Sequence, residues 1–255
     1  MNPLLAARSV LAIQPHYDDT DIACGGTIAA LAGSGASVHY VTVTDDLAGV
    51  LDPDLDDAAA TAALRAEQLA AGRHIGVTDH TWMGRPDAGP FNHHELRDEL
   101  IAIIRATRPD VVMTCDPWLV DEGHQDHVRT GLAAVEAAML AGLPRLCRST
   151  PDPAWTVATI ALCYTQRPNV IVDTSAVQTA RHSALDCYRA QFTAEDLDAL
   201  RSLLDAHERS LATDGATHGE ALCVLPTAAF HCGLADRTPI AEPIRFPSLP
   251  DAVSP

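Results

Sequence analysis

Strand-like and helix-like runs take turns along the first 145 residues, and that alternation constrains the fold more than any other feature of the chain. "SVLAIQPH" reads as a strand, and "GGTIAALAGSG" follows with Ile28 and Leu31 at helical spacing before Gly33 and Gly35 stop the run. "SVHYVTVTD" is β-branched and aromatic, as a strand prefers, and residues 56–76 form an alanine-rich helix ending near Gly72 or Gly76. "DHTWMG" and "DVVMTCDP" repeat the strand pattern. "NHHELRDELIAIIRATRP", with Asn92 and Glu95 spaced as a capping box, and "DHVRTGLAAVEAAMLAG" repeat the helical one. "VATIALCYT" and "NVIVDTS" are two further strands. Residues 175–192 and 195–212 read as helices, and residues 236–255, with five prolines, as an extended tail. Strand–helix repeats of this kind build βαβ units on a mostly parallel sheet, an α/β fold. In such sheets ligands bind beyond the carboxyl ends of the strands. "PHYDD", "TDD", "GRPDAG" and "CDPWLVDEGHQDH" all fall at that edge.

The 255 residues fit one domain over residues 1–235 followed by the tail. A formal net charge of −17 argues against nonspecific binding to nucleic acid or to an anionic membrane. No run approaches the roughly 18 apolar residues of a membrane span, and the first residues lack the apolar core of a signal peptide. The expected location is the cytoplasm. The seven cysteines form no CxxC pair and lie mostly in apolar stretches, as free buried thiols do in a reducing compartment.

The unusual chemistry lies in "IQPHYDDTD", where a buried strand runs into one imidazole and three carboxylates. Crowded carboxylates repel one another and resist desolvation, so either the loop is solvated or a cation sits there. The second cluster, "DPWLVDEGHQDHVRTG", holds His124 and His127 three residues apart, on one face if they open a helix. A catalytic zinc site takes three N and O ligands and leaves one position open. His16 supplies one nitrogen, Asp18 or Asp19 an oxygen, and His124 or His127 the second nitrogen. Adjacent aspartates point in different directions, so one binds metal and the other faces the water whose proton must be removed.

"PHYDDTDIACGGTIAAL" resembles the AHPDDE…GCGGTLA signature of the LmbE-like, or PIG-L, zinc deacetylases, and "GHQDHVRTG" is similar to that family's GHPDHRATG. "ALRAEQLAAGRHIGV", "WMGRPDAG" and "ALDCYRAQF" resemble further family segments in the family's order, so the likeness runs from about residue 9 to 193. The resemblance implies a Rossmann-like three-layer sandwich that hydrolyses the N-acyl group, foremost acetyl, of an amino sugar or glycoconjugate. It implies one Zn²⁺, or another divalent transition metal, held by His16, Asp19 and His127. It further implies Asp18 as general base, His124 as the group that protonates the leaving amine or stabilises the oxyanion, and Asp126 as its orienting partner. Arg65 and Asp87 fall where family members contact substrate. A homo-oligomer is compatible with a compact family of this kind.

Tyr17, Thr20 and Gln125 depart from the family pattern without removing a ligand, while Thr20 alters the surroundings of the metal. "LAGVLDPDLDDAAATAAL" replaces the usual loop at the expected mouth, which bears on substrate identity. Two alternatives stand beside acetyl removal: cleavage of a larger acyl group from a glycoside conjugate, and sugar binding without turnover. "CGGT" lacks the GxGxxG spacing, and carboxylates before it would repel a pyrophosphate, which argues against nucleotide binding.

Overall fold

The computed structural model describes residues 3–213, 215–231 and 244–246. A short helix, α1 (Pro3–Ala6), precedes a seven-stranded sheet. The strands are β1 (Ser9–Gln14), β2 (Ser37–Thr44), β3 (Asp79–Arg85), β4 (Val111–Cys115), β5 (Thr159–Cys163), β6 (Val170–Asp173) and β7 (Gly219–Pro226). Their order across the sheet is β3-β2-β1-β4-β5-β7-β6. The first five pair in parallel, and β7 runs antiparallel between β5 and β6.

Six longer helices cover the two faces: α2 (Asp19–Gly33), α3 (Asp57–Ile75), α4 (His93–Thr107), α5 (Gln125–Leu140), α6 (Gln178–Leu185) and α7 (Ala194–Ser210). Side chains alternate across a strand. Val10 and Ala12 therefore face one core with Ile28, Leu64 and Ala184, from α2, α3 and α6. Leu11 and Ile13 face the other with Leu100 and Ala134, from α4 and α5. Strands buried on both faces read as continuous apolar runs, as "SVLAI" does. This is the three-layer α/β sandwich that the alternation predicts.

The caps explain where helices begin. The Asp56 carboxylate accepts from the Ala59 N–H, and Gly76 closes the same helix at φ 83°. Asn92 accepts from the N–H groups of His94 and Glu95. At α5, Gly131 lets the helix lie against β4: a Cβ there would come within 2.6 Å of the Cys115 carbonyl oxygen.

The structure departs from the sequence reading in three places. The first helix begins at Asp19 rather than at the glycines, so the carboxylates belong to its first turn. The predicted helix over 175–192 shrinks to α6, because the Ala190 N–H turns to the Glu67 carboxylate and the Ala190 carbonyl accepts from Leu51. The strand β7 was not expected at all. Most of the proline-rich tail lies outside the described residues, but Ile244 forms a parallel bridge with Val172 and is buried.

The strand β7 also shapes α2. The helix is broken at Cys24, where φ is −157°, which leaves the amides after the break without helical partners. Glu220 supplies acceptors across the sheet, taking the N–H of Gly26 at 2.9 Å and of Thr27 at 2.6 Å. Gly26 permits that approach, since a Cβ there would meet Glu220 Oε1 at 2.8 Å. The buried Arg181 guanidinium pairs with both Glu220 and Glu208 and donates to the Ile22 carbonyl. Removing one partner from such a network leaves donors and a charge buried without compensation. Glu220→Ala is expected to lower stability by about 3–5 kcal/mol, read as a shifted midpoint of urea unfolding.

Candidate metal centre and catalytic cleft

From β1 the chain adds β2 and β3 on one side, then crosses back to lay β4 on the other. A crevice opens beyond the strand ends where the order reverses in this way. The segments leaving β1, β2, β3 and β4 all border a cleft of about 370 Å³. Its walls include His16, Asp18, Asp19, Asp46, Asp87 and His124, with Gly49 and Gln191 at one side.

The first turn of α2 is drawn tight by Asp19. Its Oδ2 accepts the His16 N–H at 2.8 Å and lies 3.0 Å from His16 Nδ1. Gln14 Oε1 accepts the Thr20 N–H at 2.8 Å, which satisfies another amide of that turn. The other Asp19 oxygen, Oδ1, lies 3.2 Å from His127 Nε2. His127 sits one turn into α5, its ring stacked on Tyr164 at 5.8 Å between centroids.

His16, Asp19 and His127 each offer a ligand atom within 4.8 Å of the others. A tetrahedral ion with bonds of about 2.0–2.2 Å sets its ligand atoms roughly 3.3–3.6 Å apart. The two separations from Asp19, 3.0 and 3.2 Å, come within a few tenths of an ångström of that spacing. Two imidazole nitrogens and one carboxylate, the donor set that a divalent cation takes, therefore converge at this point. The residues fit a divalent cation. A second trio, His16, Asp87 and His124, shares one ring with the first. Its His124 is exposed, and His124 Nδ1 is already engaged as the cap of α5, accepting the Asp126 N–H at 3.3 Å. The first trio is the better site.

The electrostatics carry the same signature. Burial opposes charge on His16, yet hydrogen bonds with Asp19 and Asp87 outweigh it and push its pKa up to about 11. Burial likewise opposes ionisation of Asp19, but His127 and His16 hold its carboxyl well below the usual range. Asp18 is different. Burial, then repulsion from Asp19 and Asp46, raises its pKa well above the ordinary carboxylate value. Asp46, held at φ 58° with its Oδ2 accepting from Tyr17, is pushed up to about 7, chiefly by burial.

The remaining residues singled out in the sequence divide. Asp87 faces the cleft, its Oδ1 3.3 Å from His16 Nε2 and its Oδ2 accepting from the Ala48 N–H. The Asp126 carboxylate is fully buried, accepts the Ala88 N–H at 2.8 Å and stands 4.0 Å from His16 Nε2. Its backbone amide, rather than its carboxylate, meets the His124 ring. Arg65 does not line the cleft; its guanidinium lies 4.9 Å over the Trp82 ring and hydrogen-bonds Tyr17.

Three residues of this region were not singled out in the sequence. Asp46 sits inside "TDD", a cluster that does fall at the strand edge. Gln191 reaches the cleft because the chain leaves helix after α6, which no periodicity reveals. Glu122 looks like one more acid in "VDEGHQDH", yet its two oxygens take the His124 N–H at 2.7 Å and approach His127 Nδ1 at 3.1 Å.

A family model described as PIG-L: GlcNAc-PI de-N-acetylase matches residues 11–138. The diacetylchitobiose deacetylase of Thermococcus kodakarensis is 34% identical over 194 residues, covering 74% of this chain and 72% of that protein. A 1D-myo-inositol 2-acetamido-2-deoxy-alpha-D-glucopyranoside deacetylase of Streptomyces avermitilis is 34% identical over 191 residues, and the match spans 64% of each chain. The solved N,N'-diacetylchitobiose deacetylase of Pyrococcus horikoshii superposes with a TM-score of 0.82 at 32% identity, covering 94% of this chain and 90% of that one.

The two trios make opposite predictions. His127→Ala should abolish metal uptake, whereas His124→Ala should still take up one equivalent, as measured by metal content per chain after reloading and desalting.

Proposed function

The chain belongs to the PIG-L, or LmbE-like, family, and on that premise we propose that it is a zinc-dependent hydrolase that removes the N-acetyl group from an amino sugar of the N-acetylglucosamine type. The observation that carries this reading is a His–Asp–His trio whose His16 and Asp19 line a cleft together with a separate carboxylate, Asp18, and a separate imidazole, His124. A metal site alone needs neither flanking group, but amide hydrolysis needs both a proton acceptor and a proton donor.

His16, Asp19 and His127 would hold the divalent cation, which would supply Lewis acidity and acidify water when bound. Asp18 accepts the proton of the attacking water. Its carboxylate lines the cleft beside the trio without being one of the three ligands, which leaves it available as a base. His124 Nδ1 accepts the Asp126 N–H, so the neutral ring carries its own proton on Nε2. That N–H hydrogen-bonds the oxyanion of the tetrahedral intermediate, and the proton that Asp18 took from the water passes to the departing amine as the C–N bond breaks. Asp126, through its amide, fixes the His124 ring, and its carboxylate anchors the 86–89 loop that carries Asp87. Asp87 is placed to accept from a sugar hydroxyl. Arg65 supports the wall behind Tyr17 rather than the floor of the cleft.

Among the described residues no helix is long and apolar enough to cross a membrane. The six described cysteines form no disulfide with one another, which suits the reducing cytoplasm.

The test is acetate release from N-acetylglucosamine and N,N'-diacetylchitobiose, before and after chelation and again after zinc is returned. Turnover lost on chelation and restored by zinc is the expected outcome; the absence of release from any N-acetylated sugar would remove the assignment. Asp18→Asn should retain its metal and lose on the order of 10²-fold or more in kcat, measured in the same assay.

A further inference from the structure

We propose that Glu122 is the positioning residue that aims His127 at the metal and sets its tautomer, an inference that rests on the metal-dependent reading above. Glu122 lies in the loop between β4 and α5, two residues before His124. One carboxylate oxygen accepts the His124 backbone N–H at 2.7 Å, so the side chain is tied to the start of α5. The other stands 3.1 Å from His127 Nδ1. A carboxylate only accepts, so the neutral His127 ring places its proton on Nδ1 and leaves the Nε2 lone pair free. Nε2 is the atom that faces Asp19 Oδ1 at 3.2 Å, inside the candidate metal trio.

The arrangement is more than a surface ion pair. The side chains of Glu122 and His127 are 17% and 16% exposed, so competition from water is weak. The ring is also confined by Tyr164, stacked on it at an interplanar angle of 16°. Stacking fixes the plane of the imidazole but is equally compatible with the ring flipped by 180° about χ2, which would put carbons where Nδ1 and Nε2 stand; the Glu122 contact selects one of the two orientations. Histidine ligands commonly donate their outer N–H to a carboxylate, and losing that acceptor typically weakens metal binding 10- to 100-fold. Asp126, the nearer acid in sequence, is not available for this task, since its carboxylate is committed to Ala88 and faces His16.

The neighbouring Asp121 provides the control. It is exposed, sits at φ 69°, a conformation that asparagine also accepts, and differs from Glu122 by one position. Asp121→Asn therefore removes the same charge from the same loop without touching the His127 contact.

The experiment measures the zinc dissociation constant of the full chain by competition with a chromophoric chelator. Wild type, Glu122→Gln, Glu122→Asp and Asp121→Asn are compared, with urea unfolding of each zinc-free protein alongside. Glu122→Gln is expected to bind zinc 10- to 100-fold more weakly, Glu122→Asp to recover part of the loss, and Asp121→Asn to match wild type, at unchanged unfolding midpoints. In the zinc-loaded wild type, long-range ¹H–¹⁵N correlation should show the His127 proton on Nδ1. Equal zinc affinity in wild type and Glu122→Gln overturns the proposal, and so does an equal loss in Asp121→Asn, which would make the effect one of net charge. A proton on Nε2 of His127 overturns it as well. A wild-type chain that binds no zinc takes down the metal reading and this role with it, whereas the other outcomes leave the metal reading intact.

Discussion

Both oxygens of the Asp19 carboxylate are engaged by histidines that come from opposite sides of the sheet's reversal point. One oxygen holds His16, just beyond β1, and the other holds His127, inside α5. The remaining geometry of the cleft is arranged around that shared anion. The His16 ring, fixed on Asp19, reaches Asp87 with its far nitrogen and so brings the end of β3 inward. Asp87 in turn accepts from Ala48, and its own amide donates to Asp45, which draws in the loop after β2. Segments from four strands are thus linked through one carboxylate. Negative charge that would repel in isolation is organised by imidazoles on either side.

The two halves of that arrangement were unequally legible in the sequence. The alternation of strands and helices identified the sheet and the edge at which function sits, because local periodicity records burial directly. His16, Asp18, Asp19, His124 and His127 stood out because polar residues at the end of an apolar run are costly unless something uses them. The strand β7 was missed for a physical reason: it is a late segment inserted antiparallel between β5 and β6, and nothing local reveals insertion. Gln191 was missed because Glu67 and Leu51 claim the backbone of Ala190 and pull the chain out of a helix that propensity favours. Glu122 was hidden by company, since a carboxylate among carboxylates looks solvated until its partners are known.

The loop after β2 shows how family likeness and local difference coexist. The residues proposed as ligands lie in segments that resemble the family's motifs, and the Pyrococcus horikoshii deacetylase shares the fold over nearly all of the chain. The wall made by Ala48 and Gly49, however, comes from the segment that departs from that pattern. Gly49 leaves room for the Gln191 side-chain amide, whose nitrogen lies 2.6 Å from where a Cβ would stand. The trio thus comes from the turn after β1 and from α5, while this wall of the cleft comes from the loop after β2, joined to the trio through Asp87 and His16.

The break in α2 has a consequence for how the molecule is made. The amides beyond the break wait for Glu220, which lies 194 residues later than Gly26 in the chain. At ribosomal rates of about 5–20 residues per second, that interval is roughly ten to forty seconds. During that time the amides of Gly26 and Thr27 lack the Glu220 acceptors, although β1 and its neighbours are long since synthesised. The broken helix is therefore completed only after β7 has been made and has taken its place between β5 and β6.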